Sequence, residues 1–212
     1  MSTKSAKQVT AHRRIWDISP PVSAQSPIFP GDAAFELRWT WSISDDCPVN
    51  VSTLTLSPHT GAHADAPLHY DPQGAPIGEV DLTPYLGPCR VIHALDCGPL
   101  IQMSHLAHAL ADMPLRVLVR TYTLTPTGWD PKLSGFASET VYGLADLGVL
   151  LIGIDTASID PADSKTLPSH QAIRQRGLRV LENLLLDAVP EGDYELIALP
   201  LKLSTADASP VR

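Results

Sequence analysis

The chain has 212 residues, 44% of them hydrophobic and 18% charged, which suits one folded domain with its own core and excludes a disordered polymer. A formal net charge of -8, with no Lys/Arg cluster to offset it, disfavours phosphate backbones, so no nucleic acid partner is expected and a small-molecule substrate is. No apolar run reaches the roughly 18 residues of a membrane span and the N-terminus lacks an apolar signal core, so a cytoplasmic location without membrane attachment is the default.

Residues 1–12 read as a polar, flexible tail. Residues 15–18 suggest a short strand stopped by Pro20 and Pro21. The segment from Pro27 to Asp32 is turn-forming and carries an aromatic, Phe29. Residues 34–43 and 49–56 alternate in polarity and are rich in β-formers, predicting a hairpin across residues 44–48. Residues 88–95 and 115–121 predict further strands. Between them, Ser104 stands where it can cap a short helix holding His105 and His108.

The stretch 121–136 is rich in Pro and Gly, holds Trp129 and predicts a long loop of the kind that often covers a site. Ser138 is placed to cap a helix over the following residues, with Glu139 near its positive end. Residues 149–154 form a buried-strand pattern, and 170–176 a helix stopped by Gly177. Residues 178–186 fit strand or helix equally. Residues 195–203 predict a strand. Cys47, Cys89 and Cys97 form no C-x-x-C pair, which argues for free thiols rather than a disulfide framework or a cysteine-zinc site.

Chemistry concentrates in residues 58–69, PHTGAHADAPLH. Three of the eight histidines fall here, His59, His63 and His69, with Asp65 among them. Imidazole and carboxylate are the ligands of zinc and manganese, and a strand end followed by a Gly-containing turn lets such ligands converge. Pro58, Gly61 and Pro67 spoil a continuous helix, so the spacing implies loop convergence rather than the single helical face of H-E-x-x-H. His12, His93, His105 and His108 carry no such pattern and read as ordinary tail, strand or surface residues. Taken alone, His170 and Glu182 also read as surface groups.

The stretch HTGAHADAPLH resembles the H-x-G-T-H-x-D-x-P-x-H signature of the cyclase-like metal hydrolases, with Ala62 in place of the usual threonine at a non-ligand position. Residues 29–32, 153–158, 160–161, 164–165, His170, 181–183, 192–201 and 209–212 resemble the bacterial kynurenine formamidase branch, with Ala157 where that branch usually has proline. The resemblance covers nearly the whole chain after residue 12. It implies an α/β fold of the swivelling β/β/α type, with a mixed, largely antiparallel sheet and peripheral helices, in a homodimer. It further implies two divalent metal ions per chain, normally zinc. His59, His63 and Asp65 would hold the first, while Asp65 would bridge to a second held also by His170 and Glu182. By the same resemblance His69 is the proton-transfer residue and Phe29 packs against substrate. The implied reaction is hydrolysis of N-formyl-L-kynurenine to L-kynurenine and formate. Another cyclic-amide or lactone hydrolase of the superfamily, or a non-catalytic metal-binding protein, are the alternatives.

Overall fold

The computed structural model describes residues 14–212. The expected tail, residues 1–12, and His12 lie outside them. In chain order the elements are β1 (Glu36–Trp41), β2 (Val51–Thr55), β3 (His63–Asp65), α1 (Pro67–Tyr70), β4 (Leu86–His93), β5 (Leu100–Ile101), α2 (Met103–Leu106), β6 (Arg116–Arg120), β7 (Gly135–Phe136), α3 (Ser138–Asp146), β8 (Leu151–Ile154), α4 (Pro168–Arg176), β9 (Arg179–Glu182), β10 (Gly192–Ile197) and β11 (Ala208–Pro210).

Seven strands form one mixed sheet in the order β10-β4-β6-β8-β9-β3-β11. The central pairs β4–β6, β6–β8 and β8–β9 are parallel, and the outer pairs β10–β4, β9–β3 and β3–β11 are antiparallel. The central strands are continuous apolar runs, as strands covered on both faces must be. Successive side chains alternate between two cores. Val117, Val119, Ile152 and Ile154 point to one face and pack with Val141 and Leu144 of α3 and Ala172 and Ile173 of α4. Leu118, Leu151 and Leu181 point to the other, against Tyr85, Ile77, Leu184 and Leu196. Gly153 lies where a Cβ would come within 2.5 Å of the Leu118 side-chain end and 2.8 Å of that of Leu184, so any larger residue must displace both.

The predicted hairpin forms as β1 and β2, in a separate two-stranded sheet with every residue exposed. The ambiguous segment 178–186 resolves as strand only over β9, Arg179–Glu182, and holds no helix. Other elements differ from expectation for local reasons. Residues 15–18 are not a strand: the Ile18 carbonyl accepts a single backbone bond, from Leu185 N–H at 2.7 Å, and Pro20 and Pro21 lack the donors to extend the pairing. Gln102, not Ser104, precedes the short helix, and its backbone N–H donates to His105 Nδ1 at 3.0 Å. Only four residues are helical there, and residues 107–109 continue as a 3-10 turn. Ala137 rather than Ser138 is the cap residue of α3. The strand expected at 195–203 begins earlier, at Gly192, and ends at Ile197, short of Pro200. Among the described residues no helix is long and apolar enough to cross a membrane.

Candidate active site

Strand geometry assembles the centre of the site. In β3, His63 and Asp65 are two residues apart and so project from the same face of the sheet. The antiparallel register sets His63 directly opposite Glu182 of β9, bringing a residue 119 positions away alongside it. Gly61, at φ +70, turns the chain into β3, and its carbonyl accepts the Nδ1–H of His63 at 3.0 Å. That bond keeps the Nδ1 proton in place and turns His63 Nε2 to the centre, 3.3 Å from Asp65 Oδ1 and 3.3 Å from Glu182 Oε2.

His170 enters from the first turn of α4. The buried carboxylate of Asp160 accepts the backbone N–H groups of Ser169 and His170 at 2.9 and 3.0 Å, satisfying the start of the helix, and His170 Nδ1–H at 2.7 Å. His170 Nε2 then faces the centre, 3.4 Å from Asp65 Oδ2 and 3.5 Å from Glu182 Oε1. His59 arrives from the turn after β2, with Nδ1 3.1 Å from Asp65 Oδ1. Asp65 is thus flanked by His59 and His63 at one oxygen and by His170 at the other. Glu182 spans His63 and His170, and its Oε1 also accepts the Ile159 N–H at 2.8 Å.

Four atoms in this centre, His63 Nε2, both Asp65 oxygens and His170 Nε2, are buried and make no hydrogen bond. Leaving such groups unpaired costs about 1–3 kcal/mol each. A divalent cation uses the lone pairs they present, and the donor set of imidazoles and carboxylates fits one. Two clusters with ligand atoms within 4.8 Å of one another share Asp65: His59, Asp65 and His69, and His63, Asp65 and Glu182.

The electrostatics of the metal-free chain follow from the same contacts. Burial opposes charge on His63, but the Asp65 and Glu182 carboxylates, each 3.3 Å from its Nε2, outweigh it and raise its pKa to about 10. His59 is raised against burial by Asp65, and His170 well above its ordinary value by Asp160 and Asp65. Against the same desolvation, His170, His59 and His63 hold Asp65 well below the usual carboxylate range, and Glu182 is lowered too.

His69, on α1, stands beside this centre with 31% of its side chain exposed and its Nδ1 3.3 Å from Asp207 Oδ2. The same Asp207 oxygen lies 3.0 Å from His59 Nε2. A cavity of about 480 Å³ opens onto His59, His69, His170 and Glu182, within the range of small-molecule sites. Phe29 forms part of its wall. Trp129, from the long loop 121–134, meets the Phe29 ring edge-on at 4.9 Å between centroids. That loop is pinned by Asp187, which accepts from Thr125 N and Oγ1, and by Tyr122 Oη donating to Asp130.

Of the residues singled out from the sequence, Phe29, His59, His69, His170 and Glu182 line this cavity, while His63 and Asp65 belong to the buried centre that His59, His170 and Glu182 share with it; the described histidines set aside line neither. His93 Nε2 lies 2.9 Å from the Val189 carbonyl, and His108 pairs with Glu191 at the surface. Sequence reasoning gave no role to Asp160 and did not identify Asp207. Asp160 lay in a segment noted only for its family resemblance. Asp207 carried no signal, because only the pairing of β11 with β3 brings it near.

Comparison with known proteins agrees with this geometry. Residues 16–161 match the profile of the family described as "Putative cyclase". A solved structure described as a "potential metal-dependent hydrolase with cyclase activity" superposes with a TM-score of 0.79 at 28% identity, over 93% of this chain and 94% of that one. Fold and site together define a metal-dependent hydrolase. Kynurenine formamidase of Delftia acidovorans is 68% identical over 94% of this chain and 96% of its own, and that of Paracidovorax citrulli 66% identical over 96% and 97%. The chain belongs to the kynurenine formamidase family.

Proposed function

We propose that this chain, as one catalytic domain, hydrolyses the formamide of N-formyl-L-kynurenine to L-kynurenine and formate. The observation that carries the site assignment is the set of buried, unpaired ligand atoms around Asp65. In this reading two divalent ions, zinc by preference, are held by His59, His63 and Asp65 on one side and by Asp65, His170 and Glu182 on the other. When bound, such a pair supplies Lewis-acid charge for the formyl oxygen and lowers the pKa of a water.

The remaining work falls to the chain's own groups. Asp207 takes the Nδ1–H of His69, which leaves Nε2 free to accept a proton and later return it to the aniline nitrogen as the C–N bond breaks. Asp160 and the Gly61 carbonyl hold His170 and His63 in the tautomers that face the centre. Phe29, braced by Trp129, packs against the aryl ring. His69 also lies close enough to His59 and Asp65 to serve as a ligand, the one competing assignment the geometry favours.

The active form in this reading is a homodimer. Leu37, Trp39, Trp41 and Leu54 on the β1–β2 hairpin are 47–57% exposed, an apolar surface that a second copy would cover. The three free cysteines suit a reducing, cytoplasmic location. Metal analysis of the purified protein beside a formylkynurenine hydrolysis assay tests the activity. About two divalent ions per chain and loss of turnover on chelation are expected. Full turnover after verified metal removal would overturn the reading. Sedimentation tests the dimer: Trp39→Glu with Trp41→Glu should release monomers, and a monomeric unsubstituted protein would refute it.

A further inference from the structure

Two segments that hold no candidate metal ligand, residues 29–32 and 164–165, bring charged side chains to the cavity wall. The first forms a turn closed by Asp32 N–H donating to the Phe29 carbonyl at 3.0 Å, with Gly31 at φ +95. One turn therefore fixes both the Phe29 ring and the half-buried Asp32 carboxylate. Asp32 Oδ1 accepts the Ala33 N–H at 2.7 Å, and its other oxygen has no partner among the described residues. The second segment brings Lys165, the one Lys or Arg lining the cavity, which makes no hydrogen bond or ion pair among the described residues.

The cavity thus offers an aromatic wall, one unpaired ammonium and one carboxylate with a free oxygen, away from the buried centre. In a chain with 23 acidic and 15 basic residues, a lone cation that stays unpaired at a site is available to an anionic ligand group. An α-amino acid carries a carboxylate and an ammonium on one carbon, and so matches both charges at once. We propose that Lys165 and Asp32 form the subsite for the α-amino-carboxylate end of an aryl amino acid substrate, Lys165 binding the carboxylate and Asp32 the ammonium. This rests on the formamidase reading above and names the part of the substrate that reading leaves unassigned.

Three substrates with the same aryl formamide test it. These are N-formyl-L-kynurenine, its des-amino acid 4-(2-formamidophenyl)-4-oxobutanoate, and 2′-formamidoacetophenone, which lacks both charges. Lys165→Met should lower kcat/KM for both acids by roughly tenfold relative to 2′-formamidoacetophenone, mainly through KM, as expected for one lost charge-assisted hydrogen bond. Asp32→Asn should lower kcat/KM for N-formyl-L-kynurenine relative to the des-amino acid. Lys165→Arg should keep most of the preference for the acids. Unchanged ratios, or equal losses on all three substrates, would overturn the subsite. So would an unsubstituted enzyme that shows no preference between N-formyl-L-kynurenine and 2′-formamidoacetophenone. No turnover of any of the three by the metal-loaded, unsubstituted chain would instead remove the formamidase reading, and this subsite with it.

Discussion

Replacing His69 and His59 by alanine, one at a time, separates proton transfer from metal binding within a single motif. His59 Nδ1 lies 3.1 Å from the Asp65 oxygen that His63 also approaches, so its loss removes one of the donors around that oxygen. His69 contacts Asp207 and is partly exposed, and an exposed pair contributes about 0–1 kcal/mol, so His69→Ala should fold and load metal normally. Its kcat should still fall by about 10²–10⁴-fold, or roughly 2.7–5.4 kcal/mol of barrier, the range for a lost general acid–base group. The loss should shrink with a formanilide bearing an electron-poor ring, whose nitrogen leaves with less protonation. His59→Ala should lower both metal content and rate. The assay is metal stoichiometry by mass spectrometry beside kcat for both variants. If His69→Ala loses metal as His59→Ala does, His69 is a ligand and the proton must be carried by another group.

Glu182→Gln keeps an oxygen for the Ile159 N–H but removes the charge between His63 and His170. Metal content should drop towards one ion per chain with a large loss of rate, and normal values of both would show Glu182 to be structural. Phe29→Ala should raise KM more than it lowers kcat, since ring contact is made in ground and transition states alike. Trp129→Ala should follow the same pattern more weakly, and an unchanged KM in both variants would take this wall out of substrate binding. In the metal-free chain His63 is raised from 6.5 to about 10, so its contribution to stability is complete below 6.5 and is lost as pH rises through 10. The lowered Asp65 and Glu182 contribute above their ordinary 3.8 and 4.5 and lose this in acid. Thermal melts in chelator should therefore show Tm falling from pH 6.5 to 10, and a rising Tm would contradict the charge assignment. Because the raised imidazoles must lose protons to bind a cation, loading at neutral pH should acidify a weakly buffered solution.

The local ligands were legible because they sit within eleven residues and because the period of a strand places His63 and Asp65 on one side. The distant ones were not legible from pattern alone. His170 and Glu182 look like surface groups until the β3–β9 register is known, and only the family resemblance pointed to them. Apolar runs identified the central strands, and Gly177 marked the end of the helix expected at 170–176, which begins at Pro168. The misplaced elements are short ones, such as residues 15–18 and the helix at 103–106, where single prolines and side-chain caps decide the outcome. Asp207 shows the limit most clearly, since its closeness to His59 and His69 depends on a strand pairing 143 residues apart in sequence, Ala208 with Asp65.

That pairing has a consequence for how the protein matures. β3 is only three residues long and is held between β9 and β11, so Asp65 is fixed only when both neighbours are in place. β11 leaves the ribosome after every other described strand. A partly made chain carries His59, His63 and Asp65 in one short stretch yet has neither Glu182 nor Asp207 to complete their surroundings. On the two-metal reading, the full ligand set exists only once the sheet is closed. Once the sheet closes, an ion that binds only the folded state stabilises it by mass action and ties the first third of the chain to its last strands.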